Sequence, residues 1–490
     1  MIIIYSKNAN SLFIAFYSLM KKIIVILFIM IPLSLSAQSQ QQQKVDSVFK
    51  IIVKYFNAKN ADGIYNMAGE NFQKEISFEA FNNLASKQLF TLGTLKVWTL
   101  LNFVNNNAAT YKAKFDKITI QIQLSLDEKD KIELFLFQAY NEPAPNKTAL
   151  VATSNPLKTS FDLKLDSIAR TYIQKANTVG LCIGIINKDK TSIYSYGETI
   201  KRNGKLPDAD NFFEIGSITK TFTATLLAYY ANEGLVSLND PITKYLPDSV
   251  SENPELKSIT LLNLSNHTSG LEQIPNDLIK NAKDALNPYK NYGKEQIMHY
   301  LKTCKLQSKP GEAYIYSNTA VGLLGYILEK INGKTFQQMV TQIICKPLGM
   351  FSTDQYLNPL LAPRFVQVYN AAGEPTPAWD FDVLAPCGAL RSTLNDLLIY
   401  TKSNMLSGND KLSKAFKLTQ KVTFTKDVKI GLAWHIILVN GMEYYFHNGD
   451  TYGSSSFLAF SPEKSQGVVI LSNAAERTDS IGAAVLKALQ

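Results

Sequence analysis

Ser217 and Lys220 stand three positions apart in FEIGSITKTF at 213–222. On a helix, residues at that spacing share a face, so a serine hydroxyl and a lysine amine can meet. An alcohol is a weak nucleophile until a base removes its proton, and a lysine buried in a site can serve as that base. If Ser217 also opens a helix, its backbone N–H points to where an oxyanion would form, with the helix dipole behind it. The spacing alone proves little, because Ser47 with Lys50 and Ser461 with Lys464 repeat it. Read alone, Ser217 equally fits a helix N-cap serine followed by a snorkelling lysine.

Two further segments carry matching chemistry. In KPGEAYIYSNTAVGLLGYILEKINGKTFQQMV a Pro-Gly turn leads to Tyr316-Ser317-Asn318 and then an apolar helix. A tyrosine oxygen beside a lysine ammonium can relay protons, and an asparagine amide can hold both the serine side and a substrate carbonyl. Tyr-x-Asn also occurs at 55, 230 and 289. Tyr230 falls on the helix that follows Ser217, about 20 Å further along it, and is out of reach. In EYYFHNGDTYGSSSFLAF, His447-Asn448-Gly449 falls on a strand of period-2 character. That strand could offer the N–H of Asp450 as a second oxyanion donor, with Gly449 admitting substrate close to the backbone. The same residues also read as a strand end carrying a surface histidine.

The elements that must position these residues follow from patterning. At 490 residues, 46% hydrophobic and 19% charged, the chain holds two or three folding units. Met20-Lys21-Lys22 and IIVILFIMIPLSLSA read as an export signal, with Met20 as a candidate start and cleavage near Ala37. The apolar run 23–33 is too short for a spanning helix. Removing residues 1–37 leaves 47 basic against 41 acidic residues, scattered without a run, which gives nucleic-acid binding no support. Four cysteines, Cys182, Cys304, Cys345 and Cys387, are too few for a disulfide scaffold in an exported chain of this length.

Residues 44–140 begin with helical periodicity and turn to alternating stretches such as YKAKFDKITIQIQLSLDE, an α+β pattern. This part resembles the cone-shaped domains of the nuclear-transport-factor-like superfamily. Such folds hold a pocket, but a spacer or docking role fits the residues equally. Residues 141–160, rich in proline and small polar residues, read as a linker. Residues 161–490 open with an amphipathic helix and two strands. A long helix beginning at FEIGS follows, and the chain closes with KIGLAWHIIL, EYYFHNG, SSFLAFSP, GVVILSN and a helix from about 478. Strands at both ends predict one antiparallel sheet completed by the C-terminus. The four histidines, His267, His299, His435 and His447, show no paired metal-ligand spacing, and no cofactor or metal is expected.

Residues 165–490 resemble the serine β-lactamase and penicillin-binding protein superfamily, in its class C, esterase and D-aminopeptidase branch. The resemblance rests on FEIGSITKTFTA, LLNLSNHTSGL, KPGEAYIYSN, KPLGMFSTD, APCGALRSTLNDL, GLAW and the HNG strand, in family order. It implies a helical subdomain beside an antiparallel sheet flanked by helices, with the site between them. It further implies Ser217 as the acylated nucleophile, Lys220 and Tyr316 as the proton-transfer pair, and Asn318 as an orienting group. The N–H groups of Ser217 and Asp450 would form the oxyanion hole, with His447 and Gly449 on the substrate side. The departure is His447, where β-lactamases and D,D-peptidases carry a lysine that helps bind a substrate carboxylate. A mostly neutral histidine weakens that role and points to an ester, amide or D-amino-acid peptide, small or peptidoglycan-derived. The rival from another class is an envelope binding or sensor protein on the same fold.

Overall fold

The computed structural model describes residues 31–490 except 105–106, 141–143 and 427. Most of the segment read as an export signal therefore lies outside the described residues. Among the described residues no helix is long and apolar enough to cross a membrane. The chain divides into two compact units, residues 1–143 and 144–490.

In the first unit, helix α1 (Ile31–Asn57) and short helices within 61–84 precede an antiparallel meander, β1 (Leu95–Val104), β2 (Ala108–Phe115), β3 (Thr119–Leu126) and β4 (Ile132–Ala139). Alternating burial along β2 and β3 turns one sheet face onto α1. There Phe49 of the helix stacks on Tyr111 of β2, ring centroids 3.9 Å apart. This is the expected order of helices first and antiparallel strands after.

The second unit begins inside the stretch whose composition is that of a linker. Its backbone is hydrogen-bonded to the unit from its first residues: Ala176 N–H donates to Pro145 O, Lys147 N–H to Gln174 O and Ser154 N–H to Ser195 O. The main sheet has six strands in the order β10-β11-β12-β13-β5-β6, all neighbours antiparallel. These are β5 (Gly180–Asn187), β6 (Lys190–Gly197), β10 (His435–Val439), β11 (Met442–Asp450), β12 (Ser455–Ser461) and β13 (Gln466–Ser472). The C-terminal strands thus complete a sheet begun by the first two, as the sequence predicts.

Alternation within the buried strands supplies two cores. Leu181, Ile183 and Ile185 of β5, with Val468 and Ile470 of β13, face α2 (Ser160–Ile173) and α6 (Asp479–Ala488). Cys182 and Ile186, with Val469 and Leu471, face the larger core of the helical layer. That layer contains α3 (Thr219–Asn232), α4 (Asn318–Asn332) and α5 (Leu394–Met405). All four cysteines are free and buried.

A small second sheet sets the entry to α3. Its strands β7 (Phe213–Glu214) and β8 (Thr353–Asp354) both pair with β9 (Arg391–Ser392). The helix read from FEIGS is therefore shorter than its pattern. Phe213 and Glu214 are strand, Gly216–Ile218 a 3₁₀ turn, and the α-helix begins at Thr219.

Candidate active site

Ser217 sits on that 3₁₀ turn, two residues before the α-helix begins, and Lys220 lies in the first turn of α3. Lys220 has no exposed surface. Its Nζ is 2.8 Å from Ser217 Oγ, 2.8 Å from Asn318 Oδ1 and 2.7 Å from the Cys387 carbonyl. It also lies 4.9 Å from the centroid of the Tyr316 ring. Asn318 opens α4, and its Nδ2 donates to Tyr289 Oη at 2.9 Å. That donation leaves Oδ1 to accept from the lysine. The structure thus brings Ser217, Lys220, Tyr316 and Asn318 together from α3 and the start of α4.

The opposite lip is the end of β11. Gly216 has φ +48°, and a methyl built on it would meet Asp450 N at 2.8 Å. A methyl on Gly449 would lie 2.1 Å from Ile215 O and 2.8 Å from Ser217 N. Only two glycines allow these backbones to come so close. The backbone at Gly216–Ser217 and that at Gly449–Asp450 are therefore in close contact. Ser456 Oγ, on β12, donates to Ile215 O at 2.9 Å and ties the serine turn to the sheet.

His447 takes a different place from the one its motif suggests. Strand alternation sends Phe446, Asn448 and Asp450 to the wall of the cleft, whereas the imidazole of His447 is fully buried and absent from that wall. Its Nδ1 lies 2.6 Å from Asn448 O, and its ring is 6.4 Å from that of Tyr316 and 5.6 Å from that of His435. Burial above all, with His435 and Lys220 nearby, holds its pKa well below the ordinary 6.5. It is a neutral group packed behind Tyr316.

The cleft itself encloses about 610 Å³. Its lining combines apolar and aromatic residues, Ile274, Ile279, Pro288, Tyr289, Trp379 and Tyr452, with the polar Gln273, Asn448, Asp450 and Arg477. The exposed cation of this lining is Arg477, and two carboxylates already hold it, Asp450 at 3.4 Å and Asp479 at 2.9 Å. Burial pushes the Asp450 carboxyl up against the pull of Arg477.

Two of these groups escape a reading of the sequence. Tyr289, one of the recurring Tyr-x-Asn tyrosines, reaches Asn318 from a loop without periodicity, and only its aromatic neighbours Trp379 and Phe381 hint at a built wall. Glu214, three residues before Ser217, is fully buried and links three segments. It accepts from Trp379 N at 2.5 Å, Thr451 Oγ1 at 2.7 Å and Ser454 Oγ at 3.2 Å. It thereby fixes the serine turn to the aromatic wall and to the loop after Asp450. Burial pushes its carboxyl up, opposed by those donors and by Arg391. Replacing Glu214 with alanine strands three buried donors and is expected to cost about 3 kcal/mol or more in urea denaturation, with Glu214→Gln costing less.

A buried lysine beside a serine, set between a helical layer and an antiparallel sheet, defines a serine hydrolase. A family model described as Beta-lactamase matches residues 165–490, and the chain belongs to the beta-lactamase family. It is 28% identical over 344 residues to a beta-lactamase of Pseudomonas fluorescens, covering 63% of this chain and 92% of that protein. It is 27% identical over 325 residues to the D-alanyl-D-alanine-carboxypeptidase/endopeptidase AmpH of Escherichia coli (strain K12), covering 63% and 82%. Among solved structures, a beta-lactamase/D-alanine carboxypeptidase from Pseudomonas syringae superposes with TM-score 0.60 at 25% identity, over 68% of this chain and 98% of that one.

Proposed function

We propose that this chain is an exported hydrolase that forms an acyl-enzyme on Ser217, with an ester, amide or D-amino-acid peptide as substrate. The observation that carries the reading is the set of partners around Lys220. Asn318 Oδ1 and the Cys387 carbonyl can only accept, so they take two of the amine's protons. The remaining position of Nζ faces Ser217 Oγ. In the neutral amine that position is a lone pair, which takes the hydroxyl proton as Oγ attacks the substrate carbonyl. Tyr316, beside the ammonium so formed, passes a proton to the leaving group. The oxyanion is held by the N–H groups of Ser217 and Asp450. Tyr316 takes a proton back from the Lys220 ammonium; water then attacks the acyl carbon, giving its proton to the Lys220 amine, which returns it to Ser217 Oγ as the bond from Oγ to the acyl carbon breaks.

The substrate class follows from charge. His447 is neutral and off the wall, and Arg477 with Asp450 and Asp479 carries a net charge of −1. That wall gives a substrate carboxylate no free cation, which favours uncharged or amine-bearing substrates with an apolar group for the aromatic side. Beta-lactam hydrolysis or D,D-carboxypeptidase action is the second reading, favoured by the names of the similar proteins. Export rests on the basic and apolar residues at 20–37.

The test is labelling with a fluorophosphonate, followed by turnover of short p-nitrophenyl esters, a chromogenic cephalosporin and D-alanyl peptides. Label on Ser217, lost in Ser217→Ala, with ester turnover above cephalosporin turnover is the expected result. A chain that takes no label and turns over none of the panel is a binding protein on this fold.

A further inference from the structure

We infer that His267 is the residue that positions Tyr316 for proton transfer, an inference that rests on the function proposed above. His267 lies in the NHTSG loop after a short helix, Leu261–Ser265. It is fully buried and does not line the cleft. It adopts φ +62°, a left-handed conformation that a histidine enters at a cost.

That conformation lets one residue grip both sides of Tyr316. The His267 carbonyl accepts from Ile315 N–H at 2.8 Å, and its Nδ1 accepts from Ser317 N–H at 3.1 Å. Its ring lies against the tyrosine ring, centroids 4.5 Å apart and planes at 35°. The residue before Tyr316, the residue after it and one face of its ring are thus set by His267. Because Nδ1 accepts the Ser317 amide proton, the ring's own proton is on Nε2. Nε2 is buried and has no hydrogen-bond partner among the described residues. A strained backbone and an unpaired buried N–H fall on one residue, and what they secure is the tyrosine beside Lys220. The rest of the loop braces the same turn: Ser317 Oγ donates to Glu272 O at 2.7 Å, and Asn318 N–H to Gln273 O at 2.7 Å. Within that loop, His267 also lays its side chain against the Tyr316 ring.

Two substitutions separate the grip from the ring. His267→Asn keeps an acceptor for Ser317 N–H and tolerates the left-handed backbone, but loses the ring. His267→Phe keeps a ring and loses the acceptor. The full chain is assayed for the rate of fluorophosphonate labelling at Ser217 and for kcat and KM on a p-nitrophenyl ester, in wild type, both variants, Tyr316→Phe and His267→Asn/Tyr316→Phe. Each His267 variant is expected to lose about 10–100-fold in labelling rate and kcat, with KM within about 2-fold of wild type. In the Tyr316→Phe background His267→Asn is expected to cost less than about 2-fold, since its effect runs through Tyr316. An equal loss in both backgrounds overturns the inference, as does a His267→Asn chain labelled as fast as wild type. In both cases label on wild-type Ser217 leaves the proposed function standing. A wild-type chain that takes no label overturns the two together.

Discussion

Replacing Lys220 with methionine is expected to slow acylation of Ser217 by about 10²–10⁴-fold, the range a positioned general base supplies. Methionine matches the length of the aliphatic stem and removes the amine. Ser217 Oγ then loses its 2.8 Å partner, while Asn318 Oδ1 and Cys387 O each lose a donor. Substrate binding is expected to change little, because Lys220 does not line the cleft. Stopped-flow measurement of the p-nitrophenol burst gives the acylation rate, and KM reports binding separately. A variant that acylates within a few-fold of wild type would remove Lys220 from the mechanism. Urea denaturation of Lys220→Met separates chemistry from stability, since a folded but slow chain still gives a full transition.

Acidification from pH 7 to pH 5.5 is expected to destabilise the second unit by about 1.3 kcal/mol for each of three buried histidines, or about 4 kcal/mol together. Burial is the main cause in each case. It holds His267 and His447 well below the ordinary 6.5, and it lowers His435 to about 4. The unfolded chain takes up protons near pH 6.5 that the folded chain refuses. The contribution is therefore present above that pH and is lost as pH falls toward the folded values. Burial raises the carboxyls of Glu214 and Asp396. These act in the opposite sense and offset part of the loss. Urea denaturation across pH 5.5–7 reads the slope directly. A flat profile would mean that the three imidazoles are not held neutral by the fold.

The main sheet was legible because its strands are buried or alternating runs whose pattern survives any context. The Ser217–Lys220 pair was legible only beside the Tyr316–Asn318 and His447–Gly449 segments, since Ser47–Lys50 and Ser461–Lys464 share its spacing. The start of α3 was misjudged, since FEIGS has helical patterning and its first two residues become strand only by pairing with Arg391–Ser392, far along the chain. His447 shows the same limit. A strand histidine beside a glycine reads as exposed, and what buries it is the packing of Tyr316 and His435 around it. Tyr289 reads in the sequence only as a recurrence of Tyr-x-Asn, and the folded chain brings its hydroxyl to Asn318. Residues 144–159 have a linker's composition, yet backbone groups of Pro145, Lys147, Ala152 and Ser154 are hydrogen-bonded to later residues of the second unit. Proline and small polar residues report what a segment cannot be, not what it touches.

The pairing of β5 with β13, in which Asn187 faces Gln466, sets a timetable for synthesis. The first strands of the second unit, and then Ser217, Lys220 and Tyr316, leave the ribosome well before the strands that finish the sheet. Contacts of such long sequence separation form late, after local helices and hairpins. The Ser217 turn meets Gly449 and Asp450 only once β11 is anchored through β12 and β13 to β5. A nascent or prematurely stopped chain can carry Ser217, Lys220 and Tyr316 and still lack the opposite lip. Hydrolytic activity therefore marks a chain made at least through β13.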